Sequence, residues 1–211
     1  MKTIIFDFDG TIADTLPFMH KRMLKLIKEM KVTDLSDNII VEKIRSKSYP
    51  ELMKEFNISW LKLPFILNKV YQAQMDFYDE IAKTQLFPGI RETLEELRKR
   101  GFRLGILSSN MKENIDKFIK VKKLELFDFI YCEKNIFGKD KAMNHLLKEQ
   151  NLNKDDVIYI GDEVRDIEAC KKAGVKIISV TWGFNNKKNL RRYHPDYLVD
   201  ESEEILLIVS S

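Results

Sequence analysis

Residues 16–85 contain no glycine, and all eight glycines of the chain lie on either side of that stretch. The same segment has helical periodicity, with Met19, Met23, Leu26, Ile27 and Met30 at helix spacing. Further helices are expected near 38–46, 50–56 and 65–82, with Pro64 as a start signal for the last. From Phe87-Pro88-Gly89 onward the pattern changes. A helical stretch at 90–100 stops at Gly101, and Arg103-Leu104-Gly105-Ile106-Leu107 reads as a strand. A helix, a short strand (Phe129-Ile130-Tyr131), a helix (140–150), a strand (Val157-Ile158-Tyr159-Ile160), a helix (165–173) and a strand (Val175–Val180) follow. Strands and helices in alternation predict a parallel sheet with helices on both faces. The simplest architecture is an α/β core with an all-helical insert after the first strand, Thr3-Ile4-Ile5-Phe6.

Composition narrows the class. At 211 residues and 44% hydrophobic, the chain can bury one sizeable core, or one core with a smaller appended unit. A net charge of +3 is too mild to point to nucleic acid. Residues 16–85 carry 12 basic and 9 acidic groups and the remainder 24 of each, so the whole surplus sits in the helical insert. Cys132 and Cys170 form no framework of repeated spacings, which favours a reducing compartment. No apolar run approaches the roughly 20 residues of a membrane span. Asp7 and Asp9 interrupt the N-terminal apolar run before a signal-peptide core could form. The expectation is a soluble cytoplasmic protein.

The first strand runs into Asp7-Phe8-Asp9-Gly10-Thr11. Two carboxylates two residues apart then leave the carboxyl end of a buried strand, where ligands of open α/β sheets bind, and Gly10 lets the chain turn. Unpaired buried charge is costly, and a divalent cation with a preference for oxygen ligands would offset it. A second strand ends in Gly161-Asp162-Glu163-Val164-Arg165-Asp166. Asp162 and Asp166 are four apart and would share a helical face. Helix capping explains them taken singly; with Asp7 and Asp9 at another strand end, a shared magnesium site explains them better.

Two further loops suit a phosphate. Ile106-Leu107-Ser108-Ser109-Asn110 closes a strand with hydroxyls and an amide, and Lys139 stands in Phe137-Gly138-Lys139-Asp140-Lys141 at a loop-to-helix boundary. Carboxylates, a hydroxyl, a lysine and a metal together supply what phosphoryl transfer needs, namely in-line positioning and neutralised phosphate charge.

These motifs, in this order and spacing, resemble the haloacid dehalogenase-like hydrolase superfamily over essentially the whole chain. The nearest likeness is to its helical-cap, phosphoglycolate phosphatase-like branch, down to Phe87-Pro88-Gly89 at the cap exit and Trp182-Gly183 near the end. The resemblance implies a Rossmann-like parallel-sheet core at 1–15 and 86–211 and a helical cap at 16–85, with hinges near 12–16 and 82–88. It implies a magnesium-dependent phosphatase acting on a small phosphorylated metabolite. Asp7 would be the nucleophile and form an aspartyl-phosphate, and Asp9 the acid and then the base. Ser108 and Lys139 would hold the phosphoryl group. Mg2+ would be held by Asp7, the backbone carbonyl of Asp9, and Asp162. Asp166 would bind it through water or orient Lys139, a role Glu163 could also fill. Backbone amides near Gly10-Thr11 and Ser109-Asn110 would cradle the phosphate. Many relatives follow the motif lysine with proline; here Asp140 follows, and Lys141 is the alternative phosphate ligand. The presence of Asp9 argues against a dehalogenase.

In the cap, His20, Lys21, Arg45 or Lys47 is expected to face an anionic substrate, with Arg45 the residue singled out. The expected assembly is a monomer or homodimer without nucleic-acid or membrane partners. A phosphomutase of the same superfamily is the alternative activity, and a non-catalytic phosphate-binding module the remote one.

Overall fold

The computed structural model describes residues 2–31, 33–133 and 138–210. The Phe137 end of the lysine motif lies outside the described residues. Six parallel strands form one sheet in the order β3-β2-β1-β4-β5-β6: β1 (Thr3–Phe6), β2 (Arg103–Ser108), β3 (Phe129–Cys132), β4 (Val157–Gly161), β5 (Lys176–Val180) and β6 (Tyr197–Val199). β1 is central, pairing Ile5 with Gly105 of β2 on one side and with Tyr159 of β4 on the other. The chain builds outward from β1 in one direction and returns to build in the other. The topological switch therefore falls at the carboxyl ends of β1 and its neighbours.

Alternation along the strands divides the core. Ile4, Phe6, Leu104, Ile106, Ile160, Ile178 and Val180 belong to one apolar cluster, while Ile5, Leu107, Tyr159 and Ile177 belong to a second. The first face is covered by α5 (Ile90–Lys99), α6 (Lys112–Lys122) and α10 (Glu204–Val209), through Leu94, Phe118 and Ile205. The second is covered by α7 (Lys139–Glu149), α8 (Val164–Ala173) and α9 (Lys187–Arg192), through Leu146, Ile167 and Leu190.

Between β1 and α5 the regular elements are helical: α1 (Leu16–Met30), α2 (Asp37–Ser46), α3 (Tyr49–Glu55), α4 (Leu63–Phe77) and 3-10 turns at Trp60–Lys62 and Ile81–Lys83. Pro64 stands in the first turn of α4, where its missing amide costs nothing. The helix expected to reach residue 82 stops at Phe77 instead. Its end tightens into i→i+3 bonds, Tyr78 N to Met75 O and Glu80 N to Phe77 O, and a separate 3-10 turn follows. Ile27, Ile40, Ile44, Leu52, Phe56 and Phe77 join the same cluster as the β1 face, so the insert and the sheet share one apolar core. The two connecting segments run side by side. Asp14 N donates to Gln85 O at 2.9 Å, Phe87 N to Ile12 O at 3.1 Å, and Ala13 and Leu86 form an antiparallel bridge. Past Gly183 the sequence has no long periodic run, and the elements there, α9, β6 and α10, are short.

Candidate active site

Four strand ends converge. Asp7 extends the β1 ladder, its amide donating to Ile160 O at 2.8 Å, and the residue is 1% exposed. Lys139, at the start of α7 beyond β3, reaches back to it: Nζ lies 2.6 Å from Asp7 Oδ2 and 2.5 Å from Asp166 Oδ1. Burial alone would lower the Lys139 ammonium; Asp166 and Asp7 outweigh it and hold it above its usual value. Lys141, the alternative, is exposed.

Asp162 follows β4 and is fully buried. Its Oδ1 accepts from Thr11 Oγ1 at 2.8 Å and its Oδ2 from Phe184 N at 2.6 Å. Two glycines make room for it. A Cβ on Gly10, whose φ is +74°, would stand 2.1 Å from Asp162 Oδ2, and one on Gly183 would stand 2.2 Å from Asp162 Cβ. Asp166 caps α8, accepting from Glu163 N at 3.0 Å through Oδ2 while Oδ1 faces Lys139. The capping explanation and the site explanation of Asp166 thus hold together, one oxygen each. Glu163, the alternative to Asp166, turns its carboxylate to Arg165 instead.

Asp7, Asp162 and Asp166 each offer an oxygen, all within 4.8 Å of one another. Three buried carboxylates stand against one ammonium. Burial raises Asp7 to about 7 even with Lys139 beside it. Burial, reinforced by the charges of Glu163, Asp7 and Asp166, holds Asp162 well above the carboxylate range. A hard divalent cation relieves that strain, so this donor set fits one.

Asp9 is held apart from that cluster. Asn110 Nδ2 donates to its two oxygens at 3.1 and 3.0 Å, and Thr15 bonds it as well. Burial raises it to about 6 against those bonds, so it can carry a proton near neutrality. Asn110 is fixed in turn by Asn114 Nδ2, 2.8 Å from its Oδ1. The amides expected to cradle phosphate are engaged within the protein: Gly10 N with Ala13 O at 3.0 Å, Thr11 N with Phe8 O at 3.4 Å, Asn110 N with Ser108 Oγ at 3.1 Å. The Gly10 and Thr11 amides close the tight turn after β1, and the Asn110 amide closes the loop after β2 on the Ser108 side chain. Ser108, at the end of β2, is buried; Ser109 accepts from Gln74 Nε2 of α4 at its carbonyl, 3.0 Å away.

Arg45 meets the core through its backbone. Its carbonyl accepts from Asn186 N at 2.9 Å and Asn185 Nδ2 at 3.3 Å, and its charge bears on His20, which burial lowers first. A second cation beside the acidic cluster is Arg165, which sequence reasoning passed over. A signal was present: a basic residue between Glu163 and Asp166 in the first turn of a helix opposes the helix dipole and calls for a reason. Tyr49 and Gln74, which reach the site from the helical insert, left no sequence signal.

The model of the family described as haloacid dehalogenase-like hydrolase matches residues 4–180. A phosphoglycolate phosphatase of Synechococcus elongatus is 33% identical over 215 residues, spanning 100% of this chain and 98% of that protein. The pyrophosphatase PpaX of Bacillus anthracis is 23% identical over 214 residues, spanning 100% and 97%. In structure, a predicted phosphatase from Clostridium acetobutylicum superposes with a TM-score of 0.80 at 20% identity, covering 100% of this chain and 99% of that one. The chain belongs to the haloacid dehalogenase-like hydrolase family. Within it, the chain is similar over its full length to proteins named as phosphatases.

Proposed function

We propose that the chain is a magnesium-dependent phosphatase that hydrolyses a small phosphorylated metabolite by way of an aspartyl-phosphate on Asp7, with phosphoglycolate the first candidate substrate. What supports that candidate is the 33% identical relative named for it, whose length the chain matches almost throughout. One observation carries the mechanism: two carboxylates two residues apart occupy opposite environments, Asp7 against Lys139 and Asp9 against Asn110.

Asp7, Asp162 and Asp166 would hold Mg2+, together with the backbone carbonyl of Asp9. The bound ion would neutralise phosphate charge and keep Asp7 ionised. Asp7 attacks phosphorus in line, and the ester oxygen leaves with the proton Asp9 carries. Asp9, now a carboxylate, removes a proton from water as that water attacks the acyl phosphate, which returns Asp7 to its free form. Lys139 offsets charge on Asp7 and on the phosphoryl oxygens, and the Ser108 hydroxyl donates to one of them. Asn110 keeps the Asp9 carboxyl group aimed during both steps. The helical insert covers the strand ends and excludes water until the substrate is seated.

Phosphate release from phosphoglycolate, sugar phosphates, nucleotides and pyrophosphate, measured with Mg2+ and with EDTA, tests this reading. Mg2+-dependent release with one preferred compound supports it. Full activity in EDTA, or no release from any of them by folded, Mg2+-loaded protein, contradicts it.

A further inference from the structure

Arg165 is costly where it stands. It occupies the first turn of α8, where helix amides repel a cation, and its side chain is only 14% exposed. Glu163 offsets the cost: its Oε1 accepts from Nε at 2.9 Å and from Nη2 at 2.6 Å. Both bonds fall on one edge of the planar fork, so they fix where the guanidinium points. It points to the seam between the sheet and the helical insert. Nη2 lies 3.1 Å from Ser109 Oγ on the loop after β2, and the guanidinium carbon lies 6.0 Å from the Tyr49 ring of α3. Tyr49 also bonds Glu163. The Arg165 charge reaches both Asp7 and Asp9.

A phosphate ester seated on Asp7 has the strand ends on one side, so the part that is not transferred must extend toward the insert. Arg165, Ser109 and Tyr49 stand on that side. Lys139 faces Asp7 and Asp166, where the transferred phosphoryl group would sit, whereas Arg165 stands at the seam beside Ser109. A second negative group on the substrate, enclosed there, needs another cation with donors in a plane.

We propose that Arg165 is a specificity-determining residue that receives the second anionic group, a carboxylate or a second phosphate, of the small phosphorylated substrate. This rests on the phosphatase reading above and adds the class of substrate. The test compares kcat/KM for phosphoglycolate, pyrophosphate and ethyl phosphate in wild type, Arg165→Ala and Arg165→Lys, all with saturating Mg2+. The expected result is that Arg165→Ala loses at least about tenfold more on an anionic-tailed substrate than on ethyl phosphate, chiefly in KM, with Arg165→Lys between. Each comparison is a ratio within one preparation, so a partly misfolded variant does not change it. A differential loss confined to phosphoglycolate identifies the carboxylate as the group received; one confined to pyrophosphate identifies the second phosphate. Loss by the same factor on all three substrates overturns the inference while leaving the phosphatase reading intact. Wild type that releases phosphate from none of them overturns both.

Discussion

Asp7 and Asp9 differ by two positions and by everything around them. Asp7 lies in a pair with a lysine and within 4.8 Å of two further carboxylates; Asp9 accepts two bonds from a neutral amide. The first environment suits a group that must be an anion once a metal is present, and the second a group that exchanges a proton. With Asp9 at about 6, formation of the aspartyl-phosphate from an alkyl ester should slow as pH rises past that value, because the acid form disappears. Asp9→Asn should lower turnover of an alkyl phosphate by about 10²–10⁴-fold. The same variant should still form the covalent intermediate from p-nitrophenyl phosphate, whose leaving group needs no proton, and a burst of nitrophenolate without steady turnover would report it. The motif residues themselves were legible because they stand at strand ends in a fixed order. Arg165 carried a weaker signal, a cation in the first turn of a helix, and among 36 basic residues its direction becomes visible only when Glu163 and Ser109 are seen against it. Arg45 drew notice for its charge; the contacts it makes with the core are made by its carbonyl.

Elements position these residues through close approach, and glycine permits it. Gly10 combines a φ of +74° with a Cβ position 2.1 Å from Asp162 Oδ2, so Gly10→Ala strains the backbone and displaces a carboxylate together. The strain should cost roughly 1–3 kcal/mol in stability. The displacement should raise the Mg2+ concentration for half-maximal activity by about 10–100-fold, read from a Mg2+ titration of phosphate release. Gly183→Ala separates the two effects, as its φ is not in the left-handed region and its Cβ would meet Asp162 first. It should reproduce the Mg2+ shift with less loss of stability in a urea melt. Long elements were readable from their periodicity, α1 and α5 above all. The elements after Gly183 were not, because α9, α10 and β6 span six, six and three residues and so complete fewer than two turns or two alternations. The end of α4 differs for a related reason: Ile81 continues the apolar spacing, but in a 3-10 turn that keeps it buried without continuing the helix.

Across the whole molecule the acidic centre opposes folding unless a cation answers it. Asp7 has an ordinary value of 3.8 and is raised to about 7 in the fold. The folded state therefore holds a proton that the unfolded chain releases between those values, and without metal the stability from Asp7 is lost as pH rises through about 7. Mg2+ binds the ionised form, so the rise in Tm that it causes should be small near pH 5 and grow toward pH 8. Thermal melts with Mg2+ and with EDTA at each pH check this; a rise independent of pH would contradict it. The insert and the sheet share one apolar cluster and are joined by a paired two-segment ribbon at Ala13 and Leu86. That division between helical insert and alternating core was visible in where glycine falls, whereas the shared core was not, because sequence patterning shows that a face is apolar but not what covers it. The central claim is that Asp7 carries the phosphoryl group. Its most direct test is mass spectrometry of the protein acid-quenched during turnover of phosphoglycolate with Mg2+, followed by peptide mapping. The account predicts one added phosphoryl group on the peptide containing Asp7, absent in EDTA and in Asp7→Asn. Steady phosphate release with no phosphoryl group at Asp7, or undiminished turnover by Asp7→Asn, would contradict it.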